Sequence, residues 1–195
     1  MKISFHRVKN LSYILIDEFF TFEELVGVCK EVEDLKPFLL AADETNSATT
    51  KNNTVKKTGT GVFVDTRYKE NREMSFILQS NRKIFCDEIT KSAEQFDVIF
   101  KFLKESNHDT TLLNYYTEGQ EYRAHADNSR ISAVTFLKQG CISGGEFCFP
   151  EQNVTIEAEH NRTVVFPSCA VHQAMPIRGD GARVSIAQFI DLTSF

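Results

Sequence analysis

Two hydrophobic periods divide this chain, a helical one through most of its first half and a strand-like one after His108. Leu11 to Ile16 is a short apolar run, β-branched in part, that predicts a strand. Thr21-Phe22-Glu23-Glu24 then has the form of a helix start with acids in its first turn. Leu25, Val28, Val32 and Leu35 follow at helical spacing, and Pro37 closes the helix. From Ala42 to Gly61 the chain turns to Asn, Thr, Ser, Lys and Gly, a long polar loop of the length that serves as a lid or binding loop, or is simply disordered. Met74 to Leu103 is helical again, with Ile77, Leu78, Ile84, Phe85, Ile89, Phe96, Ile99, Phe100 and Leu103 forming an apolar stripe over two helices.

Beyond His108 the pattern has period two, in short runs of β-formers at 110–116, 131–137, 145–149, 153–157, 162–167, 170–176 and 182–191. Gly119, Gly140, Gly144, Gly145, Pro150, Pro167, Gly179 and Gly181 mark the turns between them. Seven or eight short strands predict a sandwich or barrel, and the earlier helices should cover one face of a sheet. No repeat or linker interrupts the 195 residues, so a single domain is expected, with 1–109 as an N-terminal strand and supporting helices and 110–195 as the β core.

Composition narrows the function. Hydrophobic residues at 42% and charged residues at 25% fit a folded, water-exposed domain. A net charge of -5 works against a phosphate backbone, and Lys51, Lys56 and Lys57, the one basic group, read as a solvated loop, so nucleic acid is not expected as a partner. The five cysteines, Cys29, Cys86, Cys141, Cys148 and Cys169, are odd in number and contain no CxxC pair, which argues against disulfides and thiolate zinc. Met1 to Asn10 alternates charged and apolar residues, and nowhere do 18 apolar residues run together. These features predict a cytoplasmic protein with no membrane span.

The chemistry gathers in the second half. His125 and Asp127 are two residues apart, so on an extended segment both side chains leave the same face. His172 sits among apolar neighbours in Val171-His172-Gln173-Ala174-Met175. Two imidazoles and one carboxylate suit divalent iron with positions left open for substrate and dioxygen, and equally suit zinc with an open position. His6, His108 and His160 lack such company and read as structural residues. Arg183 follows a turn at Arg178-Gly179-Asp180-Gly181, flanked by Val184, Ile186 and Phe189. A guanidinium in a barrel interior needs an anion, and its planar fork matches a carboxylate. Ser185 shares the face of Arg183 and could donate to the same carboxylate.

Taken in order, Asn114-Tyr115-Tyr116-Thr117-Glu118-Gly119-Gln120-Glu121-Tyr122-Arg123-Ala124-His125-Ala126-Asp127-Asn128, then Gly144-Gly145-Glu146-Phe147-Cys148-Phe149, then Arg162 to Ser168, and His172 with Arg183, resemble the iron(II)- and 2-oxoglutarate-dependent dioxygenases, and within them the prolyl 4-hydroxylase-like group. The resemblance runs over most of Leu112 to Phe189, with a fainter echo in Leu11 to Leu35. It implies a mainly β fold with packed helices: a double-stranded β-helix, or jelly roll, with the N-terminal helices on one sheet. It further implies that His125, Asp127 and His172 ligate iron(II) and that Arg183 pairs with the distal carboxylate of 2-oxoglutarate. Tyr116 would line the cosubstrate pocket with Ser185, while Tyr122 and Asn128 would face the substrate. Phe136 departs from the pattern, standing where some relatives place a tyrosine that bonds the distal carboxylate.

The expected activity is hydroxylation of an unactivated C–H bond, with 2-oxoglutarate converted to succinate and carbon dioxide and with ascorbate as a candidate reductant. A peptidyl prolyl residue is the first expected substrate, with the 42–61 loop closing over it; a free amino acid or other small metabolite is the alternative. Two other classes remain open: a zinc-dependent hydrolase, and a non-catalytic β-sandwich binding module. The former leaves Arg183 and the glycine pattern without a role.

Overall fold

The computed structural model describes residues 1–45, 55–106 and 108–192. Its first two strands, β1 (Lys2–Val8) and β2 (Leu11–Asp17), pair as an antiparallel hairpin. The alternation of Met1 to Asn10 was therefore the signature of an edge strand as well. Helix α1 (Phe22–Leu35) starts where expected: Thr21 Oγ1 accepts from Glu24 N at 3.3 Å while the Glu24 carboxylate accepts from Thr21 N at 2.7 Å, a complete capping box. A 3₁₀ turn at Lys36–Phe38 carries Pro37 and ends it.

Strand β3 (Thr60–Phe63) overlaps only the end of the stretch expected to be loop, at Thr60 and Gly61. Residues 46–54, the middle of that stretch and of the expected lid, lie outside the described residues. The helical region is more broken than two helices: α2 (Val64–Arg67), α3 (Phe76–Asn81), α4 (Asp87–Phe96) and α5 (Lys101–Glu105) are separated by 3₁₀ turns at Arg72–Met74, Arg82–Phe85 and Val98–Phe100. Extended backbone at Ser75, Cys86 and Asp97 makes the breaks. The Ser75 and Asp97 side chains accept from Leu78 N and Ile99 N, so each interrupts one turn and caps the next.

The second half is β throughout: β4 (His108–Tyr116), β5 (Tyr122–His125), β6 (Ile131–Gly140), β7 (Ser143–Gly144), β8 (Phe147–Phe149), β9 (Val154–Ile156), β10 (Arg162–Pro167), β11 (His172–Ala174), β12 (Ile177–Arg178) and β13 (Gly181–Asp191). Seven strands form one sheet in the order β1-β2-β10-β6-β13-β4-β3, and four form a second in the order β5-β11-β8-β9. Strands β7 and β12 make a small ladder of their own.

Alternation along the large sheet divides the apolar residues between two cores. Ile14, Ile16, Leu113, Ala133, Val165, Val184 and Ile186 point to one side, where Val28, Val32, Ile77, Leu78 and Ile89 of the helices meet them. Leu11, Tyr13, Val134, Phe136, Val164, Phe166 and Ala187 point to the other, against Phe147, Phe149 and Ile156 of the small sheet. The result is a jelly roll with helices on the outer face of its large sheet, as the strand count and the resemblance both implied.

Candidate active site

Strand pairing brings the two histidines together. In the β5–β11 ladder His125 lies directly opposite His172, and Asp127 follows two residues after His125, where its backbone N–H donates to the Ser168 carbonyl at 2.9 Å. Each imidazole uses Nδ1 in the same way: His125 to the Arg123 carbonyl and His172 to the Ala170 carbonyl, both at 2.9 Å. A carbonyl only accepts, so Nδ1 carries the proton and the Nε2 lone pair is left facing inward. Those lone pairs meet Asp127: His125 Nε2 is 3.7 Å from Oδ1 and His172 Nε2 is 3.6 Å from Oδ2. The ligand atoms of all three residues lie within 4.8 Å of one another, a spacing that a single divalent ion can bridge.

Burial sets the protonation of this cluster. It drops His125 to about 3, with His172 adding to the effect, and lowers His172 as well, against the pull of the Asp127 carboxylate. Both rings are therefore neutral at pH 7, the form that binds a metal. Burial raises Asp127, opposed by His172 and by a hydrogen bond from Ser132.

Arg183 lies across the sheet from Tyr116 and is 1% exposed, the largest fully buried side chain in the protein. Its Nη1 donates to the carbonyls of Gly145 at 2.6 Å and Met175 at 3.3 Å, and its plane lies 4.3 Å over the Tyr116 ring. Nε and Nη2 have no hydrogen-bond partner among the described residues. A buried guanidinium with two unused donors has the chemistry of a carboxylate seat. Gly145 allows this approach: at φ +75° it adopts a left-handed backbone, and a Cβ there would stand 2.5 Å from Ile177 Cγ2 and 3.3 Å from Arg183 Nη1. The double glycine is therefore more than an ordinary turn. Tyr116, also buried, has its hydroxyl pushed up to about 12 by burial and stays a neutral donor.

A cleft of about 600 Å³ between the sheets joins the His-Asp-His group to Tyr116. Tyr116, Tyr122, His125, Asp127, Asn128, His172 and Ser185, all picked out from the sequence, line it. Tyr122 stacks on His125, with ring centroids 3.6 Å apart, so it touches an imidazole of the His-Asp-His group. Asn128 lies at the exposed rim, and Phe136 lines the wall directly across the sheet from Ser185.

The same inward row continues through Thr110, Leu112 and Asn114 on β4 and Ala187 and Phe189 on β13, residues that sequence reasoning passed over. Period two counted from Tyr116 and Arg183 picks out these positions. One expectation was wrong. Lys57 is no solvated loop residue: it is 1% exposed, its ammonium donates to Asn114 Oδ1 at 2.9 Å, and burial lowers it to about 8. Lys56 reaches the Ala124 carbonyl at 2.8 Å and borders the cleft, while Lys51 lies outside the described residues.

Residues 110–191, from within β4 to the end of β13, match the family model of the 2OG-Fe(II) oxygenase superfamily. The class works with iron(II), 2-oxoglutarate and dioxygen, and the His-Asp-His group stands within the matched region. Three solved structures share the architecture. A prolyl-4-hydroxylase from Pseudomonas putida is 18% identical, with 95% of each chain covered and a TM-score of 0.61. A Trichoplax adhaerens prolyl hydroxylase, in complex with a hypoxia inducible factor peptide fragment, is 15% identical over 92% of this chain and 83% of that one, with a TM-score of 0.66. A viral collagen prolyl hydroxylase from Paramecium Bursaria Chlorella virus-1, in its 2-oxoglutarate complex, is 14% identical over 93% and 96%, with a TM-score of 0.56. At these identities the likeness is one of fold. No curated protein matches the sequence.

Proposed function

We propose that this oxygenase hydroxylates a prolyl residue within a peptide or protein, using a site in which His125, Asp127 and His172 hold iron(II). Arg183 would take the distal carboxylate of 2-oxoglutarate, with Tyr116 and Ser185 beside it. The observation that carries this reading is Arg183: a buried cation whose Nε and Nη2 have no partner among the described residues, 4.3 Å from the ring of Tyr116, which itself lines the cleft. A zinc hydrolase has no use for such a group. Bound together in this site, iron and 2-oxoglutarate supply the oxidising power that turns a C–H bond and dioxygen into an alcohol, succinate and carbon dioxide.

The protein's own residues do the placing. The Arg123 and Ala170 carbonyls fix both imidazoles with Nε2 inward, and burial keeps those rings neutral. Phe136, Phe147 and Ala187 line the cleft with apolar surface that excludes water from the reacting carbon. Tyr122 and Asn128, between the metal cluster and the open rim, are positioned to meet the substrate, and the cleft is larger than a five-carbon dicarboxylate fills. The prolyl hydroxylases of like fold, one of them holding a peptide, support a peptide in the remaining space over a free amino acid.

The whole chain is proposed as one catalytic domain, with residues 1–109 supporting the jelly roll of 110–195, and with ascorbate as reductant. No described helix is long and apolar enough to cross a membrane, and the five free cysteines suit the reducing cytoplasm proposed as its location. The test is mass spectrometry of proline-rich peptides and of free proline incubated with iron(II), 2-oxoglutarate and oxygen. One oxygen gained on a peptidyl proline, absent with Asp127→Ala, is expected. Hydroxylation of free proline alone would move the substrate to small metabolites, and metal-dependent ester hydrolysis without 2-oxoglutarate would overturn the oxygenase reading of the site.

A further inference from the structure

A chain of three hydroxyls ends on the cluster's carboxylate. Ser132 Oγ donates to Asp127 Oδ2 at 2.6 Å, Ser132 and Ser168 Oγ are 2.8 Å apart, and Ser168 and Ser129 Oγ are 2.7 Å apart. Ser132 and Ser168 are fully buried, while Ser129 is half-buried beside the rim. Proton counting sets the direction. An ionised carboxylate has no hydrogen to give, so Ser132 must donate to it and therefore accept from Ser168. That spends the one Ser168 hydrogen, so Ser129 donates to Ser168 at 2.7 Å, in preference to the Ile131 carbonyl at 3.4 Å. All three O–H bonds point toward Asp127, the arrangement in which each bond strengthens the next.

Ser168 is also where two parts of the site meet. Its carbonyl accepts from Asp127 N, its own N–H donates to the Arg130 carbonyl at 3.1 Å, and it begins the turn whose Ala170 carbonyl orients His172. One residue therefore touches the backbone that carries the carboxylate and the turn that aims the second imidazole.

We infer that Ser129, Ser168 and Ser132 form a positioning relay that holds Asp127 Oδ2 and leaves Oδ1 as the single oxygen offered to a metal. This rests on the iron-site reading above. A free carboxylate can grip a divalent ion with both oxygens; Oδ2, although 3.6 Å from His172 Nε2, has one lone pair taken by Ser132, which biases the ion toward Oδ1. With two imidazoles, the protein would then supply three donor atoms and leave the rest of the ion's positions to cosubstrate and dioxygen. Ser168 touches no ligand atom and acts only through Ser132 and the backbone.

The test is titration of the metal-free protein with cobalt(II), reading affinity and the visible ligand-field spectrum, which reports coordination number. Ser132→Ala and Ser168→Ala should each weaken cobalt binding by about tenfold to a hundredfold, the range for losing an outer partner of a metal ligand. Both should shift the spectrum toward a carboxylate bound through two oxygens, and Ser132→Thr should restore affinity and spectrum together. The double alanine variant should be no weaker than Ser132→Ala alone, because Ser168 works through Ser132. Ser129→Ala, at the solvent end, keeps the test open if a buried variant fails to fold: it should show a smaller loss of affinity in the same direction. Wild-type affinity and spectrum in the folded serine variants, or losses that simply multiply in the double variant, would overturn the relay. Wild type and Asp127→Ala separate the two claims. If wild type binds no cobalt, the metal site itself falls and the relay with it. If binding needs Asp127 but ignores the serines, the relay alone is wrong.

Discussion

Arg183 concentrates the site's unmet demand in one side chain: one nitrogen serves two carbonyls while two others have no partner among the described residues. Arg183→Gln should therefore raise the KM for 2-oxoglutarate by roughly tenfold to a hundredfold, reflecting about 1.5–3 kcal/mol of charge-assisted bonding, with a smaller fall in kcat. Steady-state kinetics in 2-oxoglutarate decide it, and an unchanged KM would remove Arg183 from the cosubstrate seat. The histidines give a second expectation. His125 titrates near 3 when folded and near its ordinary 6.5 when unfolded, so between those values the unfolded chain binds the extra proton and stability falls as pH falls. At pH 5 this amounts to about 2 kcal/mol. Asp127, raised by burial, works in the opposite direction as pH falls toward its own range, so the contribution is isolated by comparison with His125→Asn. Urea unfolding of the metal-free proteins at pH 5 and 7 should show a smaller loss in the variant. At this scale the sequence was most legible where chemistry restricts the choice of residue, as at His125, Asp127, His172 and Arg183. It was least legible where the distant fold decides. Nothing local distinguishes buried Lys57 from Lys56, because Asn114, its partner, lies 57 residues away.

Helix α1 shows how an element carries both a local and a distant instruction. Its capping box is readable in Thr21-Phe22-Glu23-Glu24, and Thr21→Ala should cost about 1 kcal/mol in a denaturant titration. Its buried Glu31 is not readable. That carboxylate accepts from Ser75 Oγ at 2.6 Å and Ile77 N at 2.8 Å, tying the start of α3 to the side of α1. Glu31→Ala leaves both donors buried without partners and should cost about 2–4 kcal/mol by the same measurement, several times the loss at Thr21. Equal losses would show that the contact between the helices contributes little. The broken run from Phe76 to Glu105 looked like two helices because its apolar spacing stays helical across Cys86 and Asp97. Apolar period records which side is buried, and here short α and 3₁₀ pieces bury the same side in turn. β5 and β3 were hidden for the opposite reason, being four-residue strands whose partners, not their composition, make them strands.

For the whole molecule, the proposed metal ligands sit on the small sheet and its following loop, while Arg183 and Tyr116 belong to the large sheet. A metal with 2-oxoglutarate would therefore clamp one sheet to the other. Thermal unfolding in manganese(II) and 2-oxoglutarate should shift upward in wild type, by about 2.7 kcal/mol at a hundredfold excess over Kd, and should not shift in Asp127→Ala. A shift with manganese but none added by 2-oxoglutarate would leave the ion site standing and remove the clamp. The jelly roll was legible as a class because its strands alternate and its turns are marked. The order of strands within each sheet was not, since neighbours such as β2 and β10 are brought together from opposite ends of the chain. The place of β13 has a further consequence for synthesis. It fills the slot between β4 and β6, yet it follows every other strand in the chain. A ribosome making this protein must release residues 181–191 before the large sheet can close. Until then β4 and β6 present unpaired edges, and the nascent chain lacks Arg183, the proposed carboxylate seat.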